Sequence, residues 1–160
     1  MKNLILVRHG KSGYENFTTD KNRKISETGI ERTIKVALDS KDFLDNDTVF
    51  WSSSATRAAS TAAIFAEIIP FTIQSICFKD DLYTFNSADL KTCIHTIPDQ
   101  INKIVLFGHN PAFTDFLNEF TNLQIDNLPT SGLVSIVFET ETWSRLPQGK
   151  VVKTLFAKDL

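Results

Sequence analysis

Leu4-Ile5-Leu6-Val7-Arg8-His9-Gly10 is the stretch on which the reading of the fold turns. Its first four residues are apolar on both alternating faces, so they read as a strand buried on both sides. The run then stops at a cation, an imidazole and a glycine. A second run of the same kind, Ile104-Val105-Leu106-Phe107, leads into Gly108-His109-Asn110-Pro111. Strands buried on both faces belong to sheets covered by helices. In open sheets of that class the ligand crevice lies beyond the carboxyl ends of the strands. Two of the chain's three histidines follow such strands, so both imidazoles can face one crevice. A purely structural role for either ring is the competing reading.

Working outward, helical patterns alternate with further strands. Ser26 reads as an N-cap with Glu27 near the positive end of the helix dipole. Ile30, Ile34, Ala37 and Leu38 then mark one face. Residues 48–51 read as a second strand. Ala58, Thr61, Ala62, Phe65, Ile68 and Ile69 line a following helix that Pro70 closes. A short strand is expected over 75–78. Ser87 is placed to cap a helix with Leu90, Cys93, Ile94 and Ile97 inside. Asn110 is placed to cap another, with Pro111 at its first position, where a missing N–H costs nothing. Its inner face is Phe113, Phe116, Leu117 and Phe120. Residues 133–138 and 151–156 close the chain as strands, and 143–149 suit a hairpin connection. The expected fold is a three-layer α/β/α sandwich with a largely parallel central sheet and an antiparallel C-terminal strand pair.

Composition sets the outer bounds. The 160 residues suit one domain, 1–160, with 42% apolar and 22% charged residues as in an ordinary globular protein. The 13 phenylalanines point to a Phe-rich core. A net charge of −2 argues against a general nucleic-acid surface. Cys77 and Cys93 form no C-x-x-C unit, sit in apolar stretches and read as buried thiols, which suits a reducing compartment. No apolar stretch approaches the roughly 20 residues of a membrane span. The first apolar run is too short for a secretory signal. The expected location is the cytoplasm, with neither nucleic acid nor membrane as partner.

Two arginines join the histidines. Arg8 adjoins His9. Arg57 lies beyond the second strand, in Ser53-Ser54-Ala55-Thr56-Arg57-Ala58-Ala59-Ser60-Thr61, at the start of the next helix. Guanidinium forks match phosphate oxygens bidentately, and a helix N-terminus adds free N–H groups. Read alone, Arg57 is an ordinary solvated helix residue; read with Arg8, His9 and His109 it points to an oxyanion. No G-x-x-x-x-G-K-[ST] loop occurs, so a P-loop nucleotidase is unsupported. Two histidines with two arginines make a poor cation site.

The chain resembles the histidine phosphatase superfamily, the group that includes the cofactor-dependent phosphoglycerate mutases. Arg8-His9-Gly10 matches its signature. Asp20-Lys21-Asn22-Arg23-Lys24-Ile25-Ser26-Glu27-Thr28-Gly29 is similar to the D-x-x-R-x-L-[ST]-x-x-G stretch of the small SixA-type phosphohistidine phosphatases. The segment 53–61 is similar to their S-x-x-x-R-A-x-x-T, Gly108-His109-Asn110-Pro111 to their G-H-N-P, and Thr130-Ser131-Gly132 to a late T-S-G before a strand. The resemblance implies His9 as the nucleophile, with Arg8, Arg57 and His109 holding the phosphoryl group. It also brings Arg23, and Ser12 in the loop after His9, into consideration for substrate binding. In mutase-like relatives a mid-chain Glu is the general acid. Here that region reads Lys79-Asp80-Asp81-Leu82-Tyr83. Asp81 is the candidate, with Asp80 and Glu15 as alternatives and a turn acid as the plain structural reading. Asn16 is one residue out of register with the mutase Asn and takes no role. His95 reads as a surface or helix-end residue.

The function implied is a metal-independent, cofactor-free phosphatase that works through a phosphohistidine intermediate and releases inorganic phosphate. Its substrate would be phosphohistidine on a signalling or phosphorelay protein, because the segments between strands leave no room for a cap subdomain. The loop cations Lys11, Lys21, Arg23 and Lys24 could meet an acidic protein partner or simply be solvated. The alternatives are a small-molecule phosphomonoesterase of the same superfamily and a phosphohistidine-binding module without turnover. The third would be marked by loss of His9 or His109, and both are present.

Overall fold

A computed structural model describes residues 1–13, 18–69 and 76–160. Six strands form one sheet in the order β3-β2-β4-β1-β5-β6. They are β1 (Lys2–Arg8), β2 (Val49–Ser53), β3 (Cys77–Lys79), β4 (Lys103–Gly108), β5 (Leu133–Phe138) and β6 (Lys150–Leu155). β1, β2, β3 and β4 run parallel, whereas β5 is antiparallel to both β1 and β6. Four helices alternate with the parallel strands: α1 (Glu27–Asp39), α2 (Thr56–Ile68), α3 (Ser87–His95) and α4 (Ala112–Phe120).

The alternation of side chains along β1 explains the three layers. Leu4 and Leu6 join one core with Ile94, Phe113, Phe116 and Leu117 of α3 and α4. Ile5 and Val7 join the other with Val36, Ala37, Ala62 and Phe65 of α1 and α2. All four β1 residues are fully buried, as the apolar run requires. Phe107 on β4 meets Phe50 and Phe65 edge-on, each with ring centroids 5.3 Å apart. Edge-to-face pairs add to the burial of their area. The core is thus rich in phenylalanine, although Phe78 and Phe85 are exposed. Among the described residues no helix is long and apolar enough to cross a membrane.

Several local details differ from the expectation. Ser26 caps α1, accepting from the Gly29 N–H at 3.1 Å. The buried face of that helix, however, is Gly29, Thr33, Val36 and Ala37, while Ile30, Ile34 and Leu38 are exposed. The cause is what α1 abuts. A Cβ at Gly29 would stand 2.3 Å from the Lys11 carbonyl oxygen, and Thr33 Oγ1 lies 2.8 Å from Ser131 Oγ. That contact admits small and polar side chains and turns the isoleucines outward. The cap of α3 is Asn86, which accepts from Ala88 N and Asp89 N, and Ser87 is its first residue. α4 begins at Ala112, with Pro111 at the cap position. Asn110 still acts there, accepting from the Thr114 N–H. Cys93 is buried as expected, but Cys77 is exposed because β3 is the short edge strand. Pro70, Ser75, Glu15 and Asn16 lie outside the described residues.

Candidate active site

The sheet brings the two histidines together by register. Arg8 pairs with Gly108 at the carboxyl ends of the adjacent strands β1 and β4. His9 and His109 are the next residues, and the ladder continues as His9 N–H donates to Gly108 O at 3.1 Å. Their ring centroids are 5.2 Å apart. β2 is the next strand beyond β4, so the start of α2 delivers Arg57 beside them. On the other side, the turn before β5 closes around β1. Ser131 adopts φ 62°, and its N–H reaches both Arg8 O and His9 O at 3.1 Å. Few residues other than glycine hold that left-handed backbone.

The hydrogen bonds assign the chemistry of His9. Its Nδ1 lies 2.8 Å from Gly10 O. A carbonyl only accepts, so Nδ1 carries the proton and neutral His9 presents its lone pair on Nε2. Gly10 is anchored in turn, since its N–H donates to Thr61 Oγ1 at 2.8 Å and Thr61 Oγ1 donates to Arg57 O at 2.8 Å. Burial, and then the charges of Arg57, Arg8 and Arg23, hold the His9 pKa down at about 4, against the opposing Gly10 bond. Burial, then His9, Arg57 and Arg8, hold that of His109 at about 3, with Asp20 opposing. Both rings are neutral at pH 7, the state in which an imidazole can attack.

Three buried nitrogens have no partner among the described residues: Arg8 Nε, Arg57 Nε and His109 Nδ1. Buried polar groups are almost always paired, and a group left orphaned costs about 1–3 kcal/mol. These three belong to the residues around the His9 ring, so an oxyanion seated there would satisfy them. The remaining bonds of the arginines are structural. Arg8 Nη1 donates to Leu128 O at 2.8 Å. Arg57 Nη1 and Nη2 donate to Asp20, at 2.6 Å to its carbonyl and 3.0 Å to its carboxylate. Arg57 is only 2% exposed. His109 Nε2 lies 2.8 Å from Ser53 Oγ.

Asp20 is the residue of this cluster that sequence reasoning passed over. Its carboxylate accepts from Arg57, from Tyr83 Oη at 2.6 Å and from Arg23 Nη1 at 3.1 Å. The Tyr83 bond first, then Arg57 and Arg23, bring its pKa down to about 2. Arg23 also donates from Nη2 to Ser12 Oγ at 2.6 Å, so the two proposed binding residues are joined to each other and to Asp20. The one available signal was that Asp20 opens the D-x-x-R stretch. Tyr83 and Phe85 pack edge-on against His109, with centroids 5.4 Å and 5.5 Å away.

The structure does not bring the acid candidates to the histidines in the same way. Asp80 accepts from Ser54 Oγ at 2.5 Å and lies 3.6 Å from Lys21 Nζ. Asp81 is exposed and lines a cavity of about 340 Å³ with Tyr83, Asp89 and Cys93. Its charge acts on Cys93, while the carboxylate acting on His109 is that of Asp20. His95 is exposed at the end of α3. Among the described residues no group of three or more His, Cys, Asp or Glu is arranged to hold a metal ion.

Residues 4–78 match the model of the histidine phosphatase superfamily (branch 1). No curated protein matches the sequence. Solved structures share the fold over nearly the whole chain. A provisionally named phosphohistidine phosphatase SixA of Agrobacterium tumefaciens is 20% identical with a TM-score of 0.78, covering 96% of this chain and 97% of that one. The protein histidine phosphatase SixA, complexed with tungstate, is 13% identical with a TM-score of 0.79 and covers 98% of both chains. A mycobacterial glucosyl-3-phosphoglycerate phosphatase is 12% identical with a TM-score of 0.66, covering 95% and 97%. The fold and the matched segment define a phosphatase with a histidine nucleophile. Residues 4–78 carry the likeness of the chain to the histidine phosphatase superfamily.

Proposed function

We propose that His9 Nε2 attacks the phosphorus of a phosphorylated substrate, and that Arg8, Arg57 and His109 hold the phosphoryl oxygens. The observation that carries this reading is the set of three orphaned nitrogens, Arg8 Nε, Arg57 Nε and His109 Nδ1, beside a ring whose lone pair is on Nε2. The P–N or P–O bond of the substrate breaks as the bond from His9 forms. Water then cleaves the phosphohistidine and releases inorganic phosphate. Such transfers depend mainly on positioning and on stabilising charge on three equatorial oxygens. Two permanent cations supply that charge without a metal, so activity is expected to survive EDTA.

The preferred substrate in this proposal is phosphohistidine on a signalling or phosphorelay protein, met in the cytoplasm. Residues 1–160 act in it as one domain without a cap. The greater likeness to the SixA structures, with TM-scores of 0.78 and 0.79 against 0.66, favours it over a small phosphate ester. The test is rapid quench with labelled phosphoramidate or phosphohistidine protein. Acid-labile, base-stable label is expected on the wild type and none on His9→Ala. Label that persists in His9→Ala overturns the assignment of the nucleophile. Faster turnover of alkyl phosphates than of phosphohistidine protein overturns the substrate.

A further inference from the structure

We propose that Ser53 is a positioning residue that sets the tautomer of His109, keeping the proton on Nδ1 where the phosphoryl group is to be held. The inference rests on the site described above and adds a residue to it. Ser53 is the last residue of β2 and is fully buried. Its Oγ accepts the Ala55 N–H at 3.1 Å, at the cap of α2, and lies 2.8 Å from His109 Nε2.

A hydroxyl has one proton to give. Ala55 occupies one lone pair of Ser53, and the only acceptor bonded to Ser53 Oγ among the described residues is His109 Nε2. If the hydroxyl donates, Nε2 is the bare nitrogen and Nδ1 carries hydrogen. Ser53 Oγ and His109 Nε2 are then both paired, and His109 Nδ1 becomes an N–H donor awaiting an acceptor. In the opposite arrangement Nε2–H donates to Ser53. The buried hydroxyl proton is then stranded, and a lone pair on Nδ1 faces the incoming anion. Each of those defects leaves a buried polar group unsatisfied, which costs more than the bond it forgoes, so the first arrangement wins.

The relay also explains the spacing of Ser53 and Arg57. Four residues apart, they straddle the start of α2, so one turn of chain orients the ring of His109 from below and carries the guanidinium beside it. The first hydroxyl of the S-x-x-x-R-A-x-x-T segment thereby serves one histidine and the last, Thr61, anchors the glycine that serves the other.

The test is a long-range ¹H–¹⁵N correlation on histidine-labelled protein at neutral pH, with Ser53→Ala beside the wild type. Wild-type His109 is expected to show protonated Nδ1 and bare Nε2. Ser53→Ala is expected to show a mixture of tautomers or the reverse one, with kcat/KM and vanadate affinity both falling by roughly 10- to 100-fold, below the cost of deleting a preorganised donor outright. A wild-type His109 protonated on Nε2 overturns the proposal without any variant, and so does Ser53→Ala with unchanged tautomer and activity. Loss of label on His9 would instead count against the nucleophile, so the two readings fail separately. Should Ser53→Ala not fold, Ser53→Cys gives a weaker donor, and the same tautomer shift is required of it.

Discussion

Asp20 grips Arg57 twice, its carbonyl oxygen 2.6 Å from Nη1 and its carboxylate 3.0 Å from Nη2. The grip engages both outer nitrogens of the guanidinium, while buried Nε has no partner among the described residues. Asp20 therefore orients a cation that it also partly neutralises. Asp20→Asn is expected to lower kcat by about 10- to 100-fold, because a donor held out of line loses transition-state stabilisation. KM should stay level or fall, since one negative charge has left the anion site. Steady-state kinetics separate the two, and a rise in KM at unchanged kcat would contradict this role.

Arg57 is buried and engaged through a planar fork. Lysine keeps the charge but carries its donors on one nitrogen, without the planar fork that spans the carbonyl and carboxylate of Asp20. Arg57→Lys is expected to lose about 10- to 1000-fold in kcat/KM. Near-wild-type turnover would mean that charge alone suffices.

The depressed histidines predict an unusually acid pH limit. His9 remains neutral until about pH 4, so once the ionisation of the substrate is accounted for, kcat/KM should stay flat through pH 5. It should then fall tenfold per unit below about pH 4, because kcat/KM reports groups of the free enzyme. A limb centred near 6.5 in a pH profile would show His9 titrating as an ordinary histidine.

Stability should respond in a higher window. An unfolded histidine protonates near 6.5, whereas these two rings protonate in the folded chain at about 4 and about 3. Between those values the unfolded chain binds more protons, so stability is full above 6.5 and declines as the pH falls toward 4. By pH 5 the loss is at most about 2 kcal/mol per ring. Urea unfolding at pH 7.5 and 5 measures it, and His109→Gln should remove the His109 share and leave that of His9.

Asp81 lines a cavity that it shares with Tyr83 and Cys93. As the proposed general acid it matters only for a leaving group that departs as an alkoxide. Asp81→Asn should reduce alkyl phosphate turnover by about 10²–10⁴-fold and spare phosphohistidine, whose imidazole can leave already protonated. The ratio of the two losses is the quantity to measure. Equal losses would assign Asp81 to folding or binding, and none on either substrate would pass the acid role elsewhere.

Much of this site was legible because its residues sit next to strong local signals. His9 and His109 follow runs buried on both faces, and adjacent parallel strands set them side by side. Arg57 follows a strand and opens a helix. Asp20 carried no such signal, since its partners Arg57 and Tyr83 are 37 and 63 residues away in the chain and only the fold makes them neighbours. The face of α1 was misread for a related reason. Periodicity pointed to Ile30, Ile34 and Leu38, but tight contact with the backbone at Lys11 and the hydroxyl of Ser131 selected Gly29 and Thr33 instead. Hydrophobic pattern shows which faces can be buried, not how closely another backbone will approach.

The unequal placement of the two thiols has a practical use. Cys93 is 3% exposed, and burial together with Asp81 pushes its pKa up to about 11. Cys77 stands exposed at the start of β3, two register pairs before the strand end where Ser53 faces Lys79. Alkylating reagents act on an accessible thiolate. A maleimide fluorophore should therefore attach at Cys77 alone, giving the native chain a single optical tag on the β3 edge of the sheet.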